Sequence, residues 1–166
     1  MLKMNTLRLS LLACFAAAMV ATGARAATME DLGGVSEAKT VWDVTTGDEA
    51  RFNDRMGLIK QTADGLRSKG IEPKFVVLIH GKASKFATKS LAGTKFEKAP
   101  VKDMGKAQGQ LKSLTDIGIP VRLCGIAMSR TKIKSDNVIE YVTQVDNVFE
   151  NLIALQNKGY AYMEVE

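Results

Sequence analysis

Phe75-Val-Val-Leu-Ile79, followed at once by His80-Gly81, decides the fold. A run of consecutive apolar residues leaves no polar face, so this segment reads as a strand covered on both sides, as strands are in parallel sheets. Upstream, Val41-Trp-Asp-Val-Thr-Thr46 reads as a second strand, ended by Gly47-Asp48. Between the two, Phe52, Met56, Ile59 and Ala63 recur at helical spacing up to Leu66, with Gly70 as the stop. Gly57 and Gly65 weaken that helix and point to close packing on their face. Downstream, residues 82–100 are Lys-rich and carry Phe86, Leu91 and Phe96; they read as a helix or a lid, with Ser84 as its cap. Pro100 leads a further helix with Met104, Ala107, Leu111 and Leu114, stopped at Gly118, and Asp103 suits its N-terminus. Ile119 to Cys124 is another apolar strand. Asp136 to Tyr141 reads as a turn or a short helical piece, and Val142 to Val145 as a brief strand. Asp146 is placed to cap a helix carrying Phe149, Leu152, Ile153 and Gln156, and Tyr160 to Val165 forms the last strand. Strands and helices alternating with short loops predict an α/β chain, with a mostly parallel sheet and helices on both faces.

The N-terminus has a different character. Lys3 and Arg8 precede an apolar run from Leu9 to Ala21, and Ala24-Arg25-Ala26 follows with small residues at its first and third positions. Basic start, apolar middle and A-x-A site predict a signal peptide over 1–26, whose apolar run from Leu9 to Ala21 is too short to be an ordinary membrane span of roughly 20 residues. Cys14 lies too close to Arg8 for a lipidation site. Residues 27–39, polar with Gly33-Gly34, read as a flexible N-terminal segment, and 40–166 as one domain. Cleavage after Ala26 removes Lys3, Arg8 and Arg25 and no acid, which lowers the net charge from +5 to +2. The processed chain keeps one cysteine, so its stability comes from packing and not from an internal disulfide. A bacterial periplasm is the expected compartment, with no membrane association once the leader is gone.

Chemistry in an open α/β sheet sits at the carboxyl ends of strands. Two polar residues occupy such ends, His80 and Cys124, and each is followed by glycine, Gly81 and Gly125. Glycine there lets a ligand approach the backbone. Amides at Gly125 and Ile126 point toward the sulfur if a helical turn begins there, and Arg130 is near enough in sequence to add positive charge. The competing reading is that Cys124 is a small core residue, since free cysteine is often buried. Lys82, Lys85, Lys89, Lys95 and Lys98 either rim a cleft for an anion or are ordinary solvated side chains. A metal site is not expected: His80, Cys124 and Met128 are the soft ligands available, and one His with one Cys falls short of a zinc set. No cofactor is expected either, because the chain lacks HExxH, CxxC, Walker and nucleotide-fingerprint patterns. It also lacks a G-x-S-x-G elbow, which argues against serine hydrolysis. Small net charge and the absence of a recognition motif exclude nucleic acid as a partner.

Val76-Val-Leu-Ile-His80-Gly81, Gly118-Ile-Pro-Val-x2-Cys124-Gly125-x-Ala127 and Leu155-Gln156-x2-Gly159-Tyr160-Ala161-Tyr162 together resemble the DsrE/DsrF-like proteins, most closely their small exported branch. The resemblance implies a flavodoxin-like three-layer αβα sandwich, assembled into homo-oligomers, trimers or hexamers. It also implies sulfur carried as a persulfide on a cysteine and passed from sulfane-sulfur donor to acceptor proteins. Cys124, Ala127 and Arg130 match the family's cysteine segment, and Thr131 stands where its members have glycine. The expected function is therefore periplasmic sulfur handling. Cys124 would be the persulfide carrier, His80 would orient it or take its proton, and Gly81, Gly125, Ile126 and Arg130 would stabilise the anionic sulfur. The alternative is a non-catalytic oligomeric module that binds a small ligand, a metal or a protein in the same cleft.

Overall fold

The computed structural model describes residues 32–166, so the expected leader and residues 27–31 lie outside the described part. A five-stranded sheet runs through the domain: β1 (Glu37–Val44), β2 (Glu72–Ile79), β3 (Val121–Cys124), β4 (Thr143–Val145) and β5 (Ala161–Val165), in the order β4-β3-β2-β1-β5. All neighbouring pairs are parallel. Its helices are α1 (Glu49–Arg67), α2 (Met104–Asp116), α3 (Gly125–Thr131) and α4 (Val148–Asn157). The chain steps outward from β1 to β4, and α4 then carries it back to the other side of β1. Right-handed crossovers place helices of opposite travel on opposite faces. Alternating strand residues divide accordingly. Phe75, Val77 and Ile79 of β2 share one core with Phe52, Met56 and Ile59 of α1 and Leu111 and Leu114 of α2. Val76 and Leu78 share the other with Val148, Leu152 and Leu155 of α4. The result is the expected flavodoxin-like three-layer α/β sandwich.

Local chemistry fixes the helix ends. Asp48 caps α1 by accepting from the Arg51 amide at 2.7 Å, and Asp103 caps α2 from Lys106 at 2.8 Å. The cap of α4 is Asn147, which accepts from Phe149 at 3.0 Å, and not Asp146. β1 begins at Glu37, inside the segment expected to be loose, because Glu37–Lys39 pair with Glu72–Lys74. Residues 82–100 form neither a longer helix nor a lid. A 3-10 helix spans Gly81–Ala87 with Ser84 buried inside it, and the remainder is tied to the 131–139 segment. The ties are Lys89 N–H to the Asn137 carbonyl (2.7 Å) and Lys95 N–H to that of Thr131 (2.9 Å). None of the helices among the described residues is long and apolar enough to cross a membrane.

Two glycines behave differently from their sequence context. A Cβ on Gly57 would lie 3.9 Å from the Gln110 side chain, ordinary contact, so this helical glycine is not forced by close packing. A Cβ on Gly125 would lie 3.1 Å from the carbonyl oxygens of both Val145 and Asp146, backbone that cannot easily yield. Gly57→Ala is expected to raise stability by about 0.5–1 kcal/mol through helix propensity. Gly125→Ala is expected to lower it by about 1–3 kcal/mol through overpacking. Chemical denaturation of the two variants beside the parent checks both signs.

Candidate functional site

Side chains two apart on a strand share a face, and the register of a parallel sheet extends that face across strands. Ile79 pairs with Leu123, so His80 and Cys124 stand one step further at the ends of adjacent strands. Both belong to the α4 face, as do Asp43, two residues from Val41 on β1, and Tyr162, which pairs with Val41 on β5. These residues meet at the carboxyl edge of the sheet. The His80 amide donates to the Val44 carbonyl (3.1 Å), which prolongs the β1–β2 ladder and fixes the histidine backbone. Gly81 then turns the chain at φ +58°, a conformation that favours glycine.

Asp43 is the hub. Its Oδ1 lies 2.8 Å from Nε2 of His80, and its Oδ2 accepts from the Tyr162 hydroxyl at 3.0 Å. The Asp43 side chain is only 8% exposed and that of His80 16%. A carboxylate that far from water needs partners on both oxygens, and it has them. Because a carboxylate only accepts, the imidazole proton belongs on Nε2, which leaves Nδ1 as the basic nitrogen. The ring of Phe149 meets the imidazole edge-on at a centroid distance of 5.2 Å and limits its rotation.

A cavity of about 130 Å³ opens beside this group, lined by His80, Gly81, Cys124, Ile126, Ala127, Arg130, Thr131 and Phe149. Cys124 is 1% exposed and packs with Ala127, Val148 and Leu152, so it is a core residue that also borders a cavity. Arg130 is exposed and makes no ion pair among the described residues. Thr131 turns its hydroxyl into the helix, donating to the Ala127 carbonyl at 2.6 Å. One expected contributor sits elsewhere, and another does not offer its amide. Gly125 is not in the lining and lies against the Val145 and Asp146 carbonyls, while the Ile126 amide donates to the Asp146 carbonyl at 3.3 Å. Ile126 therefore serves the cavity through its side chain. The lysines at 82, 85, 89, 95 and 98 do not rim this cavity. Lys85 lies over the Phe86 ring, and Lys89 pairs with Glu140. Met128 belongs to the core of the opposite face, so the soft set His80, Cys124 and Met128 is not brought together. Among the described residues no group of three or more His, Cys, Asp or Glu side chains is placed to hold a metal.

Residues 39–165 match the DsrE/DsrF-like family. The chain belongs to that family. The chain is 37% identical over 129 residues to an uncharacterized protein of Aquifex aeolicus, covering 77% of this chain and 56% of the relative. It thus spans little more than half the length of that curated relative. Two solved structures share its fold. A protein of unknown function from Methanobacterium thermoautotrophicum superposes with a TM-score of 0.57 at 16% identity, covering 76% of this chain and 98% of that one. The ychN protein of E. coli superposes with a TM-score of 0.52 at 19% identity and the same coverages.

Asp43 and Tyr162 are the site residues that sequence reasoning missed. Asp43 did leave a signal, an acid between Trp42 and Val44 inside an apolar strand. Tyr162 is held well above the ordinary phenol range, at about 12, first by desolvation, then by its hydrogen bond to Asp43 and the charges of Asp43, Glu164 and Glu166. Folded Tyr162 therefore keeps its proton where an unfolded tyrosine, with a pKa near 10, has lost it. Protons bound in excess by the folded state mean that stability is fully present below pH 10 and falls as pH rises toward 12. Tyr162→Phe is expected to remove a phenolate absorbance step near pH 12 and to flatten the loss of stability across that window. Spectrophotometric titration with denaturation at several alkaline pH values reads both.

Proposed function

We propose that the protein carries sulfane sulfur as a persulfide on Cys124. The observation that carries this reading is the meeting of Cys124, in one cavity, with a histidine whose ring is fixed by a buried carboxylate. A thiol attacks only as thiolate. His80, with Nε2 committed to Asp43, has Nδ1 available to accept the thiol proton. Cys124 Sγ then attacks the outer sulfur of a donor, a new S–S bond forms, and the donor's bond breaks with its electron pair leaving on the donor remnant. An acceptor thiolate reverses the sequence and takes the outer sulfur. Arg130 is the fixed cation beside the anionic persulfide, and Gly81 permits the turn that presents His80.

The leader-like start of the sequence supports a periplasmic setting for this chemistry. A homo-oligomer is part of the same reading. Among the described residues α4 and the start of α3 cover the second face of the sheet, and α4 leaves Phe149 and Ile153 exposed at 49% and 62%, with β4 and β5 as open edges. Sedimentation that finds a monomer at every concentration would count against assembly.

The near-complete burial of Cys124 favours the other reading, a non-catalytic binding module. The two separate on one experiment. The protein is exposed to sodium tetrasulfide and Cys124 is followed by peptide mapping, beside the variants Cys124→Ser and His80→Gln. A reductant-sensitive gain of sulfur confined to Cys124, lost in Cys124→Ser and slowed about 100-fold in His80→Gln, is the expected result. A thiol that reacts with a small alkylating agent yet never acquires sulfur would establish the module.

A further inference from the structure

We infer that the protein which exchanges sulfur with Cys124 presents its own cysteine inside an acidic segment, and that Lys132 and Lys134 recognise the acids beside it; this rests on the carrier reading above. The segment Arg130-Thr-Lys-Ile-Lys134 carries the argument. Its side chains alternate. Thr131 turns its hydroxyl back to the Ala127 carbonyl, and Ile133 is buried, with its amide on the Met128 carbonyl at 2.9 Å. Arg130, Lys132 and Lys134 are exposed between and beyond these anchors. The Thr131 carbonyl also accepts from the Lys95 amide, which brings the exposed Lys95 alongside. None of these four cations makes an ion pair among the described residues.

Lys132 is the sharper observation. Its φ is +59°, the left-handed conformation in which helices commonly end on glycine. Among the described residues it is the one non-glycine residue held there. A side chain is kept where the backbone favours none, and that side chain is cationic, exposed and unpaired.

Position ties the strip to the thiol. Arg130 and Thr131 border the Cys124 cavity, which no carboxylate lines, while Lys132 and Lys134 border the next depression, about 380 Å³ in volume. Successive Cα atoms are about 3.8 Å apart, so the strip leads directly from one to the other. The depression has a firm wall. Asn137 accepts from the Ser90 amide at 2.9 Å and donates to the Ser90 carbonyl at 2.8 Å. Asp136 is the one carboxylate in that lining, against two lysines. Cys124 is reached only through its cavity of about 130 Å³, which takes a Cβ–S–S stalk. Residues flanking such a stalk stay on the rim, and on the α3 side they meet Arg130, Lys132 and Lys134. Acidic residues complement that strip and basic ones are repelled by it. A polyanion without a thiol matches the charge but has nothing to exchange, so the partner is a protein.

The exchange balances without an added oxidant or reductant. The Cys124 thiol proton passes to His80, and the thiolate attacks the outer sulfur of the partner's persulfide. The new S–S bond forms on Cys124, and the partner's S–S bond breaks with its electron pair leaving on the partner's cysteine thiolate.

The test uses three short synthetic peptides, each with one cysteine persulfide flanked on both sides by glutamate, by glutamine or by lysine, beside sodium tetrasulfide. Sulfur gained on Cys124 of the full chain is followed by peptide mapping. At low ionic strength the glutamate peptide is expected to load about tenfold faster than the glutamine peptide, and the lysine peptide slowest. The differences are expected to vanish in about 1 M salt, where the Debye length is about 3 Å. In the double variant Lys132→Glu, Lys134→Glu the order is expected to reverse, while alkylation of Cys124 by neutral iodoacetamide keeps the parent rate. Lys132→Gly is expected to lose part of the glutamate preference with no loss of stability to denaturant. Equal rates for the three peptides, an order that the double variant leaves unchanged, or loading from tetrasulfide alone overturns the inference and leaves the carrier reading standing. Failure of all four donors on a thiol that alkylates overturns the carrier reading itself.

Discussion

A strand with both faces apolar has to be roofed twice, and β2 imposes that demand on the whole domain. Phe75, Val77 and Ile79 need one layer of cover, Val76 and Leu78 another, and water on either side would cost about 1.5–3 kcal/mol for each large side chain exposed. The first layer is built generously, by α1 and α2 together. The second is built sparingly, by α4 and the start of α3. Where that second roof runs out, at the carboxyl edge of β1, β2 and β3, the sheet's inward-facing positions are no longer filled by aliphatic side chains. Asp43, His80 and Cys124 occupy them.

The polar group survives in this place because it is internally satisfied. Asp43 would be untenable alone at its depth, yet with His80 on one oxygen and Tyr162 on the other it becomes a rigid support. The same pair of bonds dictates which ring nitrogen of His80 is basic. Sheet parity thus selects the face, burial demands the partners, and the partners set the proton inventory beside Cys124. The geometry beside the thiol follows from all three in that order.

Much of this was legible in the sequence, for reasons that differ by residue. The unbroken run from Phe75 to Ile79 announced a strand buried on both sides, and the parallel sheet followed from it. His80 and Cys124 stood out because polar residues at strand ends have few structural duties. The short α3 was only conditionally visible: seven residues beginning with glycine offer too little periodicity to read. The start of β1 at Glu37 was hidden because its first residues are polar and exposed, ordered by backbone pairing with β2 and not by burial. Asp43 and Tyr162 were invisible as partners for a deeper reason. Their contact depends on β5 returning across the sheet to pair with β1, and strand order is a property of the assembled sheet that no local pattern encodes. The amide of Ile126 shows the reverse error, a donor assigned to the sulfur by sequence proximity that a neighbouring turn had already taken.

The bond between Tyr162 and Asp43 joins residues 119 positions apart in the chain. It closes only when β5, an edge strand whose residues from Ala161 to Glu164 are exposed, settles beside β1. Edge strands open at lower free energy than the core they flank. Each such opening takes Tyr162 away and leaves one oxygen of Asp43 to find its partner in water. The pairing of Asp43 with His80 is therefore framed from the margin of the sheet, with β5 acting as the latch on a cluster built mostly on the first three strands.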